Sequence, residues 1–175
     1  MTAQEIYDLT TNGGAGDFAR VVGICSQLGP FCLIGGLAVN CYVEPVYTLD
    51  ADFVLIASSA VQLEQRLRQE GFSIHTFPHS LNAQAPKSEL RIQFTTDPRY
   101  QDFPGRAEQK DVLGVRVPVA ALKDIVRGKL WSYSDPQRRL SKRKKDELDL
   151  LRLAEQYPHL IELYPAELRR QLEQR

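Results

Sequence analysis

The sequence predicts an α/β (α+β) chain, with an alternating core to about residue 118 and a C-terminal helical segment over 119–175 packed on it as one structural unit. Three observations carry this prediction. Short runs rich in β-formers alternate with amphipathic stretches, glycine and proline punctuate the boundaries, and the text from residue 119 onward is helical. With 175 residues, 43% hydrophobic and 25% charged, the chain can bury a proper core and has the profile of a folded soluble protein.

The elements follow in order. DFARVVGICSQL, residues 17–28, has apolar residues at helical spacing and stops at Gly29-Pro30, a helix-end signal. FCLIG then reads as a short buried strand, and LAVNCYV, residues 37–43, as a helix that begins at the double glycine and ends before Pro45. LDADFVLIA is short and rich in β-formers, so it predicts a strand. SSAVQLEQRLRQEG, residues 58–71, offers a serine cap, an apolar series Val61, Leu63, Leu67 and a terminal glycine. FSIHTF and ELRIQFTT predict two more strands joined by the polar loop PHSLNAQAPKS. In the second, Leu90, Ile92 and Phe94 alternate with Glu89, Arg91 and Gln93, giving one apolar and one polar face.

After a turn-rich segment around PRYQDFPG, VLGVRVPV predicts a last strand. Three helices close the chain: AALKDIVRGKLWSYS, with apolar Ala121, Leu122, Ile125, Val126 and Leu130; SKRKKDELDLLRLAEQ, capped by Ser141 and burying Leu148, Leu150, Leu151 and Leu153; and PAELRRQLEQ.

Several function classes are disfavoured. No window approaches the roughly 18 uncharged apolar residues of a membrane span, and MTAQEIYDLT lacks the regions of a signal peptide, so the expected location is the cytoplasm, with no membrane partner. Cys25, Cys32 and Cys41 form neither a CxxC pair nor an even set and read as reduced, buried, small hydrophobes. His75 and His79 are four apart but lie in a strand running into a Pro-bounded loop, which argues against a zinc pair.

Net charge is zero, yet residues 1–90 hold 4 basic and 9 acidic side chains against 18 and 13 in the remainder. RRLSKRKK, residues 138–145, has six basic residues in eight. It reads as a solvated helix start or as a phosphate or nucleic-acid contact.

The chemistry concentrates in LIGGLAVNCYVEPVYTLDADFVLIA. On a strand, Asp50 and Asp52 project to the same face while Leu49, Ala51 and Phe53 go to the other. Two ionised carboxylates side by side repel, and a divalent cation removes the conflict. Mg²⁺ suits one or two carboxylates plus water and phosphate oxygens. Gly35-Gly36 at a strand-to-helix turn lets backbone N–H groups approach an anion closely, so a triphosphate fits between the glycines and the metal.

At these residues the sequence resembles the nucleotidyltransferase superfamily that includes polymerase β, kanamycin nucleotidyltransferase and CCA-adding enzymes. The pattern of a hydrophobic residue, two small residues, a spacer, then Asp-hydrophobic-Asp-hydrophobic is matched by Ile34-Gly35-Gly36, thirteen residues, and Asp50-Ala51-Asp52-Phe53. The closer resemblance is to a small bacterial branch related to AbiEii-type toxins and minimal nucleotidyltransferases, carried by residues 31–56 and by 118–155 with KRKKDELDLLRL.

The resemblance implies a nucleotidyltransferase fold with a mixed sheet of about five strands. It implies Asp50 and Asp52 as catalytic metal ligands for Mg²⁺ or Mn²⁺, NTP as substrate, Gly35 and Gly36 as the phosphate-contacting turn, and Thr48, Lys129 and Lys145 beside the nucleotide. Lys129 otherwise reads as a surface lysine lying along apolar neighbours. There are two departures. Val46 stands where relatives carry arginine before Tyr-Thr, and Gln93, in Arg91-Ile92-Gln93-Phe94, stands where many carry a third catalytic carboxylate. A glutamine is no general base at neutral pH; Glu89 and Asp97 are the nearest acids that could substitute.

The expected function is therefore transfer of a nucleoside monophosphate from an NTP to a hydroxyl of RNA (tRNA) or protein, with Arg138–Lys145 meeting the acceptor, in a toxin–antitoxin or phage-defence system with a cognate antitoxin or toxin partner. The alternative is a catalytically weak or inactive binding module of the same fold, for a nucleotide or a partner protein. A third reading is a structural protein in which Asp50 and Asp52 only pair with basic residues.

Overall fold

The computed structural model describes residues 1–174. Seven strands form one mixed sheet in the order β3-β4-β5-β2-β1-β7-β6. The strands are β1 (Phe31–Ile34), β2 (Asp50–Leu55), β3 (Ser73–Phe77), β4 (Ser80–Gln84), β5 (Arg91–Thr95), β6 (Glu108–Val112) and β7 (Val115–Val119). The helices are α1 (Ala3–Thr10), α2 (Gly14–Leu28), α3 (Gly35–Val39), α4 (Ala60–Gln69), α5 (Leu122–Ser134), α6 (Leu140–Gln156) and α7 (Ala166–Glu173). The central strand β2 runs antiparallel to β1 and parallel to β5, with Ile34 opposite Asp52 and Asp52 opposite Gln93.

The apolar side of β2 makes the core. Phe53 stacks on Phe94 of β5 at 5.4 Å and on Phe18 of α2 at 5.8 Å, so one strand residue ties the sheet centre to the first long helix. Leu63 and Leu67 of α4 are fully buried in the same cluster. Ile125 and Val126 of α5 and Leu150 and Leu153 of α6 are buried in it too. Burying side chains of this size stabilises the fold by roughly 1.5–3 kcal/mol each.

The sheet has two strands more than expected, and both were hidden for physical reasons. β4 lies within the segment read as a polar loop. Leu81, Ala83 and Ala85 are buried and alternate with Ser80, Asn82 and Gln84, but small alanines among turn-forming residues give a weak strand signal. VLGVRVPV is not one strand, because Leu113 and Gly114 both adopt positive φ, 50° and 78°, and turn the chain between β6 and β7. β6 is one edge of the sheet, and its Glu-Gln-Lys-Asp composition follows from solvent exposure rather than from a buried face.

Local details also differ. α1, absent from the sequence reading, opens on a capping box between Thr2 and Glu5. Ser59 precedes α4 without capping it and donates instead to the Leu28 carbonyl at 3.1 Å. Ser141 lies inside α6, whose N-cap position is Arg139. Val61 and Leu148 are exposed, while Leu63 and Leu150 carry the burial assigned to their faces. Cys25 and Cys32 are buried, and burial pushes both thiols up to about 12; Cys41 is only half-buried.

Candidate functional site

Alternation along β2 sends Asp50 and Asp52 to the face opposite Phe53, next to α3 and within reach of Lys142 on α6. Gly35 holds the strand-to-helix turn at φ +71°, a left-handed conformation, and a Cβ there would lie 2.2 Å from Asp52 Oδ2. Backbone geometry and space therefore both demand glycine. Gly36 differs: a Cβ there would meet Thr48 only at 3.6 Å, ordinary contact, so the protein's own packing does not require glycine at that position.

The two carboxylates have unlike environments. Asp50 Oδ1 accepts from Arg91 Nε at 2.7 Å and Oδ2 from Lys142 Nζ at 2.8 Å, with Lys145 Nζ at 4.0 Å. Burial pushes the Asp50 carboxyl up, but the hydrogen bonds from Lys142 and Arg91 outweigh it and hold the group below its ordinary value. Among the described residues Asp52 has no such direct partner. Burial first, and the Asp50 charge second, push it up to about 6, against smaller opposing effects of Lys129, Lys142 and Arg138.

Of the residues expected around them, Thr48 is buried, and its Oγ1 accepts from the Asp50 backbone N–H and from Lys145 Nζ, both at 3.2 Å. Gln93 sits beside Asp52 on the neighbouring strand. Val46 is exposed in a loop that Asn40 closes with two hydrogen bonds, at 2.8 and 3.0 Å, to the Val46 carbonyl and N–H.

Lys129 is not a surface lysine. It is buried in the seam between α5 and α6, 3.0 Å from Asp146 Oδ1 and 2.7 Å from Asp149 Oδ2, while Arg138 Nε reaches Asp146 at 2.5 Å. Burial pulls Lys129 down, yet Asp149 and Asp146 together hold its ammonium above the ordinary value. Neither acid suggested as a stand-in for a third carboxylate is set beside Asp52 as Gln93 is. Glu89 is exposed before β5 begins, and Asp97 is held by the Arg99 guanidinium at 2.9 Å.

Three side chains of this site had been given no individual role: Arg91 was read only as part of a polar strand face, and Lys142 and Arg138 only as members of the basic run 138–145. Arg91 shares the polar face of β5 with Gln93, a signal that strand alternation already contained. Lys142 and Lys145 are three apart on α6, so the basic run is divided: Arg138, Lys142 and Lys145 line the site, while Lys144 points away and pairs with Glu147 at 2.9 Å. A cleft of about 210 Å³ continues from Gly35 and Asp52 past Lys129 to Arg99, Tyr100 and Phe103.

The chain resembles solved structures over nearly its whole length. It matches ANT(2'')-Ia, described as an antibiotic-resistance factor, at 12% identity over 91% of this chain and 92% of that one, with a TM-score of 0.58. The same protein in complex with adenylyl-2''-tobramycin matches with a TM-score of 0.58 at 12% identity, over 91% of this chain and 96% of the other. An antigenic nucleotidyltransferase-like protein from Paracoccidioides brasiliensis follows at 0.52 and 15% identity, over 93% and 94% of the two chains. The fold is that of the nucleotidyltransferases. No protein-family model and no curated protein sequence matches the chain. On the nucleotidyltransferase fold, Gly35, Asp50 and Asp52 meet at the junction of β1, α3 and β2. Among the described residues no group of three or more His, Cys, Asp and Glu side chains is arranged around one point.

Proposed function

We propose that the protein is a metal-dependent nucleotidyltransferase that moves a nucleoside monophosphate from an NTP to a hydroxyl of RNA (tRNA) or protein. The observation that carries this reading is the closeness of the Gly35 turn to Asp52, with Asp50 alongside: an anion-accepting backbone turn and a cation-demanding carboxylate pair share one wall. The donor set suits a single Mg²⁺ or Mn²⁺ whose other ligands are triphosphate oxygens and water, since two carboxylates are what this cation usually takes from a protein. When bound, the ion would neutralise charge building on the phosphates.

The chain's own residues would do the rest. Lys142 and Lys145, both turned toward Asp50, would meet the triphosphate's oxygens, Lys142 exchanging its Asp50 partner for phosphate as the nucleotide arrives. The acceptor oxygen bonds to the α-phosphorus, the bond to the bridging oxygen breaks, pyrophosphate leaves and the proton passes to solvent. Gln93 holds the acceptor hydroxyl by a hydrogen bond but cannot take its proton, which makes the enzyme slow.

A second reading, a nucleotide- or protein-binding module with little or no catalysis, is favoured by two facts: Gln93 is neutral, and Asp50 is already satisfied by Arg91 and Lys142. Either form fits a toxin–antitoxin or phage-defence pair with a cognate partner. The deciding experiment offers the protein each α-phosphate-labelled NTP with Mg²⁺ or Mn²⁺, bulk tRNA and host protein, beside the Asp50→Ala/Asp52→Ala variant. Label that needs both aspartates supports the enzyme. NTP binding without label supports the module, and neither binding nor label leaves the carboxylates a structural role.

A further inference from the structure

The polar face of the sheet does not end at Gln93. Cross-strand register places Asp52 of β2 opposite Gln93 of β5, Gln93 opposite Asn82 of β4, and Asn82 opposite His75 of β3. Four polar side chains thus form one row from the carboxylates to the sheet edge, on the order of 14 Å at the usual strand spacing. On the same face of β3, two residues from His75, stands Phe77, 53% exposed although it is a large aromatic residue on a strand. The opposite face of β3 is taken up by α4, where Ile74 is buried and Thr76 reaches Glu64. A cavity of about 360 Å³ lies along the row and is lined also by Gln84, Arg91 and Lys142. Half-buried Asn82 lines this cavity; its Oδ1 is shielded from solvent and has no hydrogen-bond partner among the described residues, so the rest of its amide is what a ligand would meet.

These features match one kind of ligand. Amides pair with base edges, exposed aromatic and imidazole rings on a sheet face stack on unpaired bases, and arginine and lysine meet phosphate. The direction of transfer agrees. Gly36, Lys145 and Arg138, which would contact phosphate, line the pocket on the α3–α6 side of Asp52 and not the cavity over the row, Lys142 lies between the two, and displacement at phosphorus proceeds in line. The attacking hydroxyl then enters from the opposite side, where the row runs.

We infer that the open face of β3, β4 and β5 seats the unpaired 3′ end of an RNA, with Phe77 and His75 stacking on bases, Asn82 and Gln84 reading base edges, and the terminal hydroxyl delivered to Gln93 and Asp52. This rests on the nucleotidyltransferase reading for its orientation but is tested by binding. Fluorescence anisotropy with a short single-stranded RNA is compared for the unaltered protein and for Phe77→Ala/His75→Ala, whose side chains are exposed and whose fold is checked by thermal melting. The expected result is a loss of RNA affinity of at least about tenfold, the value of one to two stacked bases, with Mg²⁺·NTP binding unchanged. A 4-thiouridine at the RNA 3′ end should crosslink within residues 73–84. Unchanged RNA affinity in the variant, or crosslinks confined to α6, overturns the inference. So does equal affinity for blunt duplex RNA, or a labelled acceptor that proves to be protein. If instead NTP binding fails while RNA binding shows these effects, the nucleotidyltransferase reading falls and the docking face stands.

Discussion

Two clusters of acids and bases flank the same cleft, and they are built for opposite purposes. Asp146 and Asp149 meet Lys129 in the packed seam of α5 and α6, where the lysine side chain is only 10% exposed. Asp50 meets Arg91 and Lys142 at the cleft mouth, where those side chains are 57% and 32% exposed. A buried charge cannot lose its partner without being stranded in a medium that solvates it poorly, whereas a charge at the mouth exchanges its partner for water or phosphate at small cost. The first cluster holds two helices together, and the second is free to respond to a ligand. Lys129, expected beside the nucleotide, belongs to the first while also lining the cleft beside Asp52; Lys142, expected only as one member of the basic run 138–145, belongs to the second.

Three experiments bear on this contrast. Lys129→Met removes the buried cation that Asp146 and Asp149 share, leaving Arg138 and Arg152 as their partners, and should cost about 1–3 kcal/mol in urea unfolding; a loss below about 1 kcal/mol would mean that the two arginines suffice to hold the seam. Asp52 lies between the extremes. Its folded-state carboxyl is raised from the ordinary 3.8 to about 6, so in the metal-free protein it opposes folding above pH 6, and stability is regained as pH falls from about 6 towards 4. Asp52→Asn should therefore be more stable at pH 7.5 by about 1–3 kcal/mol, screening by water at its partly exposed surface setting the lower end, with the advantage vanishing near pH 4. A pH-independent difference would place the cause in packing. Lys142→Ala should change stability by less than about 1 kcal/mol yet weaken Mg²⁺·NTP binding several-fold in calorimetry; a large stability loss would make the mouth cluster structural too.

Legibility in the sequence divided along the same line. The Gly35 turn, the β2 strand and the shared face of Asp50 and Asp52 were readable because each depends on neighbours within a few residues, through backbone sterics and the two-residue period of a strand. β4 was missed because its inward side chains are only Leu81 and the small Ala83, and β6 because Val112 is its one buried side chain. The division of the basic run 138–145 could not be read from composition, since which lysines turn inward depends on how α6 is docked.

By itself, then, the amino-acid order determined the local devices: the left-handed glycine before α3, the paired carboxylates of β2, and the neutral amide at Gln93. Only the tertiary structure decided their company. Lys142 reaches Asp50 across 92 residues, Lys145 reaches Thr48 across 97, and the row from Asp52 to His75 exists because four strands share a register. Contacts so distant leave no local signature, because burial of the shared core positions the elements and side-chain charge only answers to where they arrive.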